Sequence, residues 1–277
     1  MDSSSGRTLL VSDLDGTLLR PDGTLSETTA RVINAYIAEG GLFTYATARS
    51  FTTASRVTAP LNLSLPVITY GGAIIVDPRT GESRPARTLA AEAVAEVLAE
   101  ARDSVQPIVF AMHEGRDRVF WRADRMTAGV DDFLRTRQGD PRLLPLESWS
   151  ILDPASVFYI SLIGDREAVD DLHARLVEVT LRCNVVHMED IYAPGQWWLE
   201  LTSPAGTKAV AVTALKRELS ADTLICFGDN HNDLPMLAAA DISLAVANAT
   251  PAVRAAATHV IGANSADGVA WWISQLP

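Results

Sequence analysis

A chain of 277 residues with 48% hydrophobic and 21% charged residues can bury one large core or two moderate ones, and its composition excludes the disordered and fibrous classes. The formal net charge of −11 argues against broad attachment to nucleic acid or anionic lipid, so any anionic ligand must be held by local positive charge. Cys183 and Cys226 sit in apolar runs without zinc-site or disulfide spacing and read as buried thiols; with no signal-like start and no apolar run of membrane length, the expectation is a cytoplasmic protein with no membrane partner.

Thr8 to Ser12 is a short apolar run that ends at Asp13, which predicts a buried strand with chemistry at its carboxyl end. Ser26 can cap a helix whose Ala30, Ile33 and Ile37 share a face, and Gly40-Gly41 stops it. A strand from Leu42 to Ala46, a helix around Phe51 to Ala59 and a strand from Pro66 to Tyr70 follow, the last ended by Gly71-Gly72. Strands separated by helices predict parallel pairing.

The turn formers between Asp77 and Arg87 predict a domain boundary. The rhythm then changes. A helix with Val94, Val97, Leu98 and Ala101 on one face precedes a hairpin of Pro107 to His113 and Arg118 to Trp121. A helix near Asp124 to Arg137, a strand from Val157 to Ile163, and a helix carrying Val169, Leu172, Leu176 and Val179 come next. Strands near Cys183 to Met188 and Trp197 to Leu201 complete an α+β insertion.

From Thr207 the alternation resumes, with a helix to Leu219, a strand from Thr223 to Phe227, a helix around Leu234 to Ala240 and a strand from Ile242 to Ala247. A terminal helix carries Val269, Trp272, Ile273 and Leu276. The predicted fold class is α/β: a parallel-sheet core formed by residues 1–84 and 196–277, split by a smaller α+β domain over residues 85–195.

Four segments carry the candidate chemistry. In Asp13-Leu14-Asp15-Gly16-Thr17 the two-residue spacing at a strand end sends both carboxylates to one side, where one can be a nucleophile and the other an acid and base. The same letters also suit a plain hairpin turn with solvated acids. Gly228-Asp229-Asn230-His231-Asn232-Asp233 likewise follows a strand, so its acids can reach the same sheet edge; its alternative is a capped helix start. A calcium loop fits poorly, because Leu234 stands where such a loop needs glycine. Carboxylates brought this close repel one another unless a cation offsets them, and Mg²⁺ suits such hard oxygen donors. Thr47-Ala48-Arg49 offers a hydroxyl, amides and a guanidinium for phosphate oxygens, or else a helix cap and a surface arginine. Lys208 opens a helix where its charge is unfavourable to the dipole, which a nearby anion would explain; an ordinary solvated lysine is the alternative.

Taken in this order, the four segments resemble the haloacid dehalogenase superfamily, and within it the Cof-type phosphatases with an inserted C2-type α/β cap, over almost the whole chain. The resemblance implies a Rossmann-like core and an Mg²⁺-dependent hydrolase of small phosphorylated metabolites, sugar phosphates among them, working through an aspartyl-phosphate. It implies that Asp13 is the nucleophile, Asp15 the acid and base, and Lys208 the charge that steadies Asp13 and the phosphoryl group. Thr47, with Ala48 and Arg49, and Asn232 with Lys208, would hold phosphate. Asp13, the main chain of Asp15, Asp229 and Asp233 would form the metal site, Asp233 through water or by orienting a ligand.

Two segments depart from the family pattern. Ala48 replaces the usual glycine, and Tyr70-Gly71-Gly72-Ala73 replaces the more usual Asn-Gly-Ala. A phosphomutase using the same aspartates, an Asp-dependent dehalogenase and a protein with mainly a binding role are the competing functions. His113, Arg122, His187 and Trp197 fall on insertion strands or their ends and take no assigned role; the oligomeric state is not legible.

Overall fold

The computed structural model describes residues 6–101, 104–190 and 193–276 and divides into two compact units, Met1–Pro85 with Thr207–Pro277, and Ala86–Gly206. The first unit begins with β1 (Thr8–Ser12), α1 (Glu27–Ala38), β2 (Leu42–Tyr45), α2 (Phe51–Val57), β3 (Val67–Thr69) and β4 (Ile74–Val76). The second unit holds α3 (Ala91–Glu100), β5 (Pro107–His113), β6 (Arg116–Arg122), α4 (Ala128–Arg135), β7 (Leu143–Leu146), β8 (Val157–Gly164), α5 (Arg166–Arg175), α6 (Val177–Thr180), β9 (Asn184–Glu189) and β10 (Trp197–Thr202). The chain then returns to the first unit with α7 (Lys208–Glu218), β11 (Thr223–Gly228), α8 (Leu234–Ala239), β12 (Ile242–Val246), α9 (Pro251–Ala256), β13 (His259–Ile261) and α10 (Gly268–Ile273).

The main sheet of the first unit runs β13-β12-β11-β1-β2, parallel at each pairing. Leu9, Leu10 and Val11 are all fully buried, as expected of a central parallel strand covered on both faces. Pairing from Thr8↔Thr223 to Ser12↔Phe227 makes β1 and β11 end side by side, and the Asp13 amide donates to the Phe227 carbonyl at 3.0 Å. That register sets the site, because both acidic segments leave the sheet at one edge.

The strand expected from Pro66 to Tyr70 does not extend the parallel sheet as a full member. β3 touches it through an Ala46↔Ile68 bridge and pairs antiparallel with β4. The turn between them places Tyr70, Gly71 and Gly72 at φ of 50°, 64° and 112°, a left-handed run that sends the chain back on itself.

In the second unit a six-stranded sheet runs β7-β6-β5-β8-β10-β9, antiparallel except for β6 with β7. One face, with Val109, Ile160, Leu162, Leu199 and Leu201, shares a core with Val94 and Val97 of α3 and Val169 and Leu172 of α5. On the other face Phe133 of α4 lies 6.1 Å from Phe110 and 6.5 Å from Trp198. The expected return to the core at residue 196 is therefore corrected to 207, since β10 pairs with β8 and β9 and buries Leu199 and Leu201 here. Among the described residues no helix is long and apolar enough to cross a membrane. Cys226 is buried, which pushes its thiol well above the usual range, whereas Cys183 is only partly buried, against expectation.

Candidate active site

At the end of β1 the backbone makes a turn in which Asp15 (φ −73°, ψ 124°) and Gly16 (φ 78°, ψ −12°) have type II angles. Leu14 is fully buried in the core, while the Asp15 side chain is 46% exposed. Gly16 meets two demands at once. Its positive φ disfavours side chains, and an added Cβ would collide with the Asp229 carboxylate. Thr17 locks the same approach by donating its hydroxyl to Asp229 Oδ1 at 3.0 Å. We expect Gly16→Ala to lower unfolding stability by about 1–3 kcal/mol; a denaturant midpoint equal to that of the native protein would contradict this account.

Asp233 is fully buried below the β11 end. Its Oδ2 accepts from the amides of Asp229 and Asn230, at 3.0 and 3.2 Å, and its Oδ1 accepts from Lys208 Nζ at 2.7 Å. The same ammonium donates to Asp13 Oδ1. Lys208 stands at the first position of α7, capped by the Thr207 hydroxyl, and is 3% exposed. Gly72 lets the β3–β4 turn approach this helix start, because a Cβ there would strike the Thr207 carbonyl group and the Lys208 nitrogen. The misplaced charge noted in the sequence thus has its anions: Asp13 and Asp233.

Thr47 follows β2, is buried, and accepts the Arg49 amide on its hydroxyl at 3.1 Å. Its loop is braced from the β3–β4 turn, where the amides of Gly71 and Tyr70 donate to the carbonyls of Thr47 and Arg49 at 2.9 and 3.0 Å. Arg49 grips both Asp15 oxygens, from Nη2 at 2.5 Å and Nε at 2.7 Å. It is therefore a partner of Asp15 in this state as well as a neighbour of the Thr47 loop. Ala48 and Asn232 are exposed, and Lys208 bonds Asp13 and Asp233 rather than Asn232.

Electrostatics oppose this gathering of acids. Burial pushes the Asp13 carboxyl well above its ordinary range, with Asp233 and Asp229 adding to the rise and Lys208 opposing it. Burial, reinforced by Asp233, raises Asp229 to about 6. Burial also works against the Lys208 charge, but Asp13 and Asp233 outweigh it and hold the ammonium protonated beyond its usual range. Three carboxylates against one ammonium leave negative charge in excess, and oxygens of Asp13, Asp229 and Asp233 lie within 4.8 Å of one another. Such a set fits a hard dication such as Mg²⁺. Because both Asp233 oxygens are already engaged, Asp13 and Asp229 are the carboxylates best able to face it, with Asp233 orienting them.

Thr17, which the first motif includes without a role of its own, and Asn248, which donates to the Gly16 carbonyl at 2.7 Å and which sequence reasoning does not single out, both hold the turn that carries Asp15. Thr17 was open to detection, since it lies two residues beyond Asp15; Asn248 sits in an alanine-rich stretch with no distinguishing signal. In the second unit, Arg122 pairs with Asp124 at 2.7 Å, and the His187 ring packs 5.3 Å from Trp197.

The profile of the haloacid dehalogenase-like hydrolases matches residues 10–273. The chain belongs to this family of hydrolases. It is 26% identical to the 5-amino-6-(5-phospho-D-ribitylamino)uracil phosphatase YitU of Bacillus subtilis (strain 168), over 96% of each chain. Against the HMP-PP phosphatase of Cronobacter sakazakii the identity is 27%, over 95% of this chain and 93% of that one. A solved haloacid dehalogenase-like hydrolase from Bacteroides thetaiotaomicron superposes with a TM-score of 0.79 at 21% identity, covering 97% of this chain and 99% of that structure, which speaks for the fold.

Proposed function

We propose that this chain is an Mg²⁺-dependent phosphatase that moves the phosphoryl group of a small phosphorylated metabolite onto Asp13 and then to water. The observation that carries the reading is the Lys208 ammonium held between Asp13 and Asp233, beside Asp229. It fixes Asp13 through one carboxylate oxygen and leaves the other for attack on phosphorus.

In the first step an Asp13 oxygen bonds to phosphorus as the bond to the leaving oxygen breaks, and Asp15 gives that oxygen its proton. In the second, Asp15 takes a proton from water, the water oxygen attacks phosphorus, and the Asp13–phosphorus bond breaks to release inorganic phosphate. Thr47 and the amides of its loop, with Ala48 between them, would hold the non-bridging oxygens, and Lys208 would offset their charge. Asn232, which is exposed, would meet the bound phosphate. Asp13, Asp229 and the Asp15 main chain would hold Mg²⁺, with Asp233 orienting them. When bound, the ion supplies charge neutralisation for the phosphate and the acids.

Residues 86–206 would act as the cap that selects the leaving group, and a phosphorylated sugar or sugar-like compound is the substrate class we favour. Support comes from a relative, YitU, which is a phosphatase of a phosphorylated ribitylamino compound.

The test is phosphate release from a panel of phosphorylated metabolites, with Mg²⁺ and after chelation, for the native chain and Asp15→Asn. Chelation is expected to lower the rate by about 100-fold or more, and Asp15→Asn by roughly 100- to 10,000-fold. Release indifferent to both would overturn the proposal. Isomer formation stimulated by a bisphosphate would assign the phosphomutase reading instead.

A further inference from the structure

The turn that carries Asp15 is tied down by a segment of the first unit with no assigned role in the chemistry. Asn248, two residues past β12, donates from Nδ2 to the Gly16 carbonyl at 2.7 Å, and its Oδ1 accepts the Asn264 amide at 2.9 Å. Asn264, which is buried, passes the restraint on by donating from its own side chain to the Leu19 carbonyl at 2.9 Å. Three residues further, Asp267 accepts from Arg20 at 2.8 and 3.2 Å and from the Thr29 hydroxyl at 3.3 Å. Residues 16, 19 and 20 are therefore each held by a side chain from residues 248–267.

We infer that Asn248 is a positioning residue for the reaction: by fixing the Gly16 carbonyl it holds the type II turn that aims Asp15. This rests on the function proposed above. The peptide joining Gly16 to Thr17 is planar, so a bond to its oxygen restrains the whole unit. Thr17 grips Asp229 on the far side of that peptide, which fixes it from two directions. The turn is then free to move only through Asp15 and Gly16 torsions that shift the Asp15 carboxyl with them. Glycine permits alternative turn geometries, which is why the restraint matters here. Asn248 itself is exposed, so its loss removes an orienting contact without opening the core.

Asn248→Asp is the informative substitution, because it keeps the shape and the acceptor for Asn264 while replacing the donor to Gly16 with an oxygen. Asn248→Ala removes both contacts. For Asn248→Asp we expect kcat to fall about 10- to 100-fold, the scale set by small misplacements of a reacting group. KM should stay within about twofold of native, because uniform substrate binding is untouched. Hydrogen exchange in the metal-free protein should quicken across residues 14–19 by roughly the factor lost with one exposed hydrogen bond, about 3- to 10-fold. Asn248→Ala should show the same exchange pattern with the thermal midpoint close to native.

Native kcat in Asn248→Asp, or a loss that follows only the folded fraction, would overturn the inference. Should the native chain release phosphate from nothing in the panel, the proposed function has failed on its own. The exchange measurement still decides this inference, and unchanged protection over residues 14–19 in both variants would overturn it.

Discussion

Asp13→Asn should abolish phosphate release to within about a thousandth of the native rate, while the protein remains folded. The amide has nearly the same shape as the carboxylate but is a far poorer nucleophile, so the covalent step has no substitute in the chain. Folding should survive because Lys208 keeps its second partner, Asp233, at 2.7 Å, and because one buried negative charge is removed from a cluster that has too many. The measurement is a paired one, steady-state release under saturating Mg²⁺ and a thermal or denaturant midpoint. A variant that is folded and retains a tenth of the native rate would exclude Asp13 as the attacking group.

Replacing Lys208 by methionine should have the opposite balance, damaging stability as heavily as catalysis. The ammonium is 3% exposed and is the cation that both Asp13 and Asp233 touch. Without it, two buried carboxylates face each other uncompensated, a loss worth about 3–5 kcal/mol in comparable settings. For a unit of this size that lowers the thermal midpoint by roughly 10 °C. Mg²⁺ should recover part of this loss, because an ion bound only by the folded state stabilises it and here also restores positive charge. Lys208→Arg keeps the charge but brings a planar fork into a space filled by a point charge, so stability should return further than activity. A Lys208→Met protein with an unaltered midpoint, with or without Mg²⁺, would show that the buried cation is not what holds the acids together.

The convergence of the four segments was legible because parallel strands end at one edge: once Thr8–Ser12 and Thr223–Gly228 are neighbours in a sheet, Asp13 and Asp229 have little choice of position. Lys208 was legible for a different reason, as a local misfit, a cation where a helix start disfavours one. What escaped was decided by pairing rather than by pattern. Ile74–Val76 carries the apolar run of a strand but became the return arm of a hairpin only through the left-handed turn at Tyr70–Gly72. Trp197–Leu201 reads as an insertion strand, yet the expected boundary falls before it at 195; its pairing with β8 and β9 and the burial of Leu199 and Leu201 move that boundary to 206. The grip of Arg49 on Asp15 and of Asn248 on Gly16 joins residues 34 and 232 positions apart, and no spacing rule reaches that far.

The first strand of the sheet, Thr8–Ser12, lies between a partner that follows within forty residues and one that ends at Gly228. A ribosome adding about 5–20 residues each second would need roughly 10–40 s to deliver that later partner. During this interval the segment 86–206, contiguous in the chain, can condense first, while the nascent amino-terminal strand stays half-paired and exposes an aliphatic edge. The enzyme is thus born without its lysine and without its second acid cluster, and it becomes competent only as translation nears its end. A long wait for the second partner of β1 is a direct outcome of placing the two halves of one sheet so far apart in the gene.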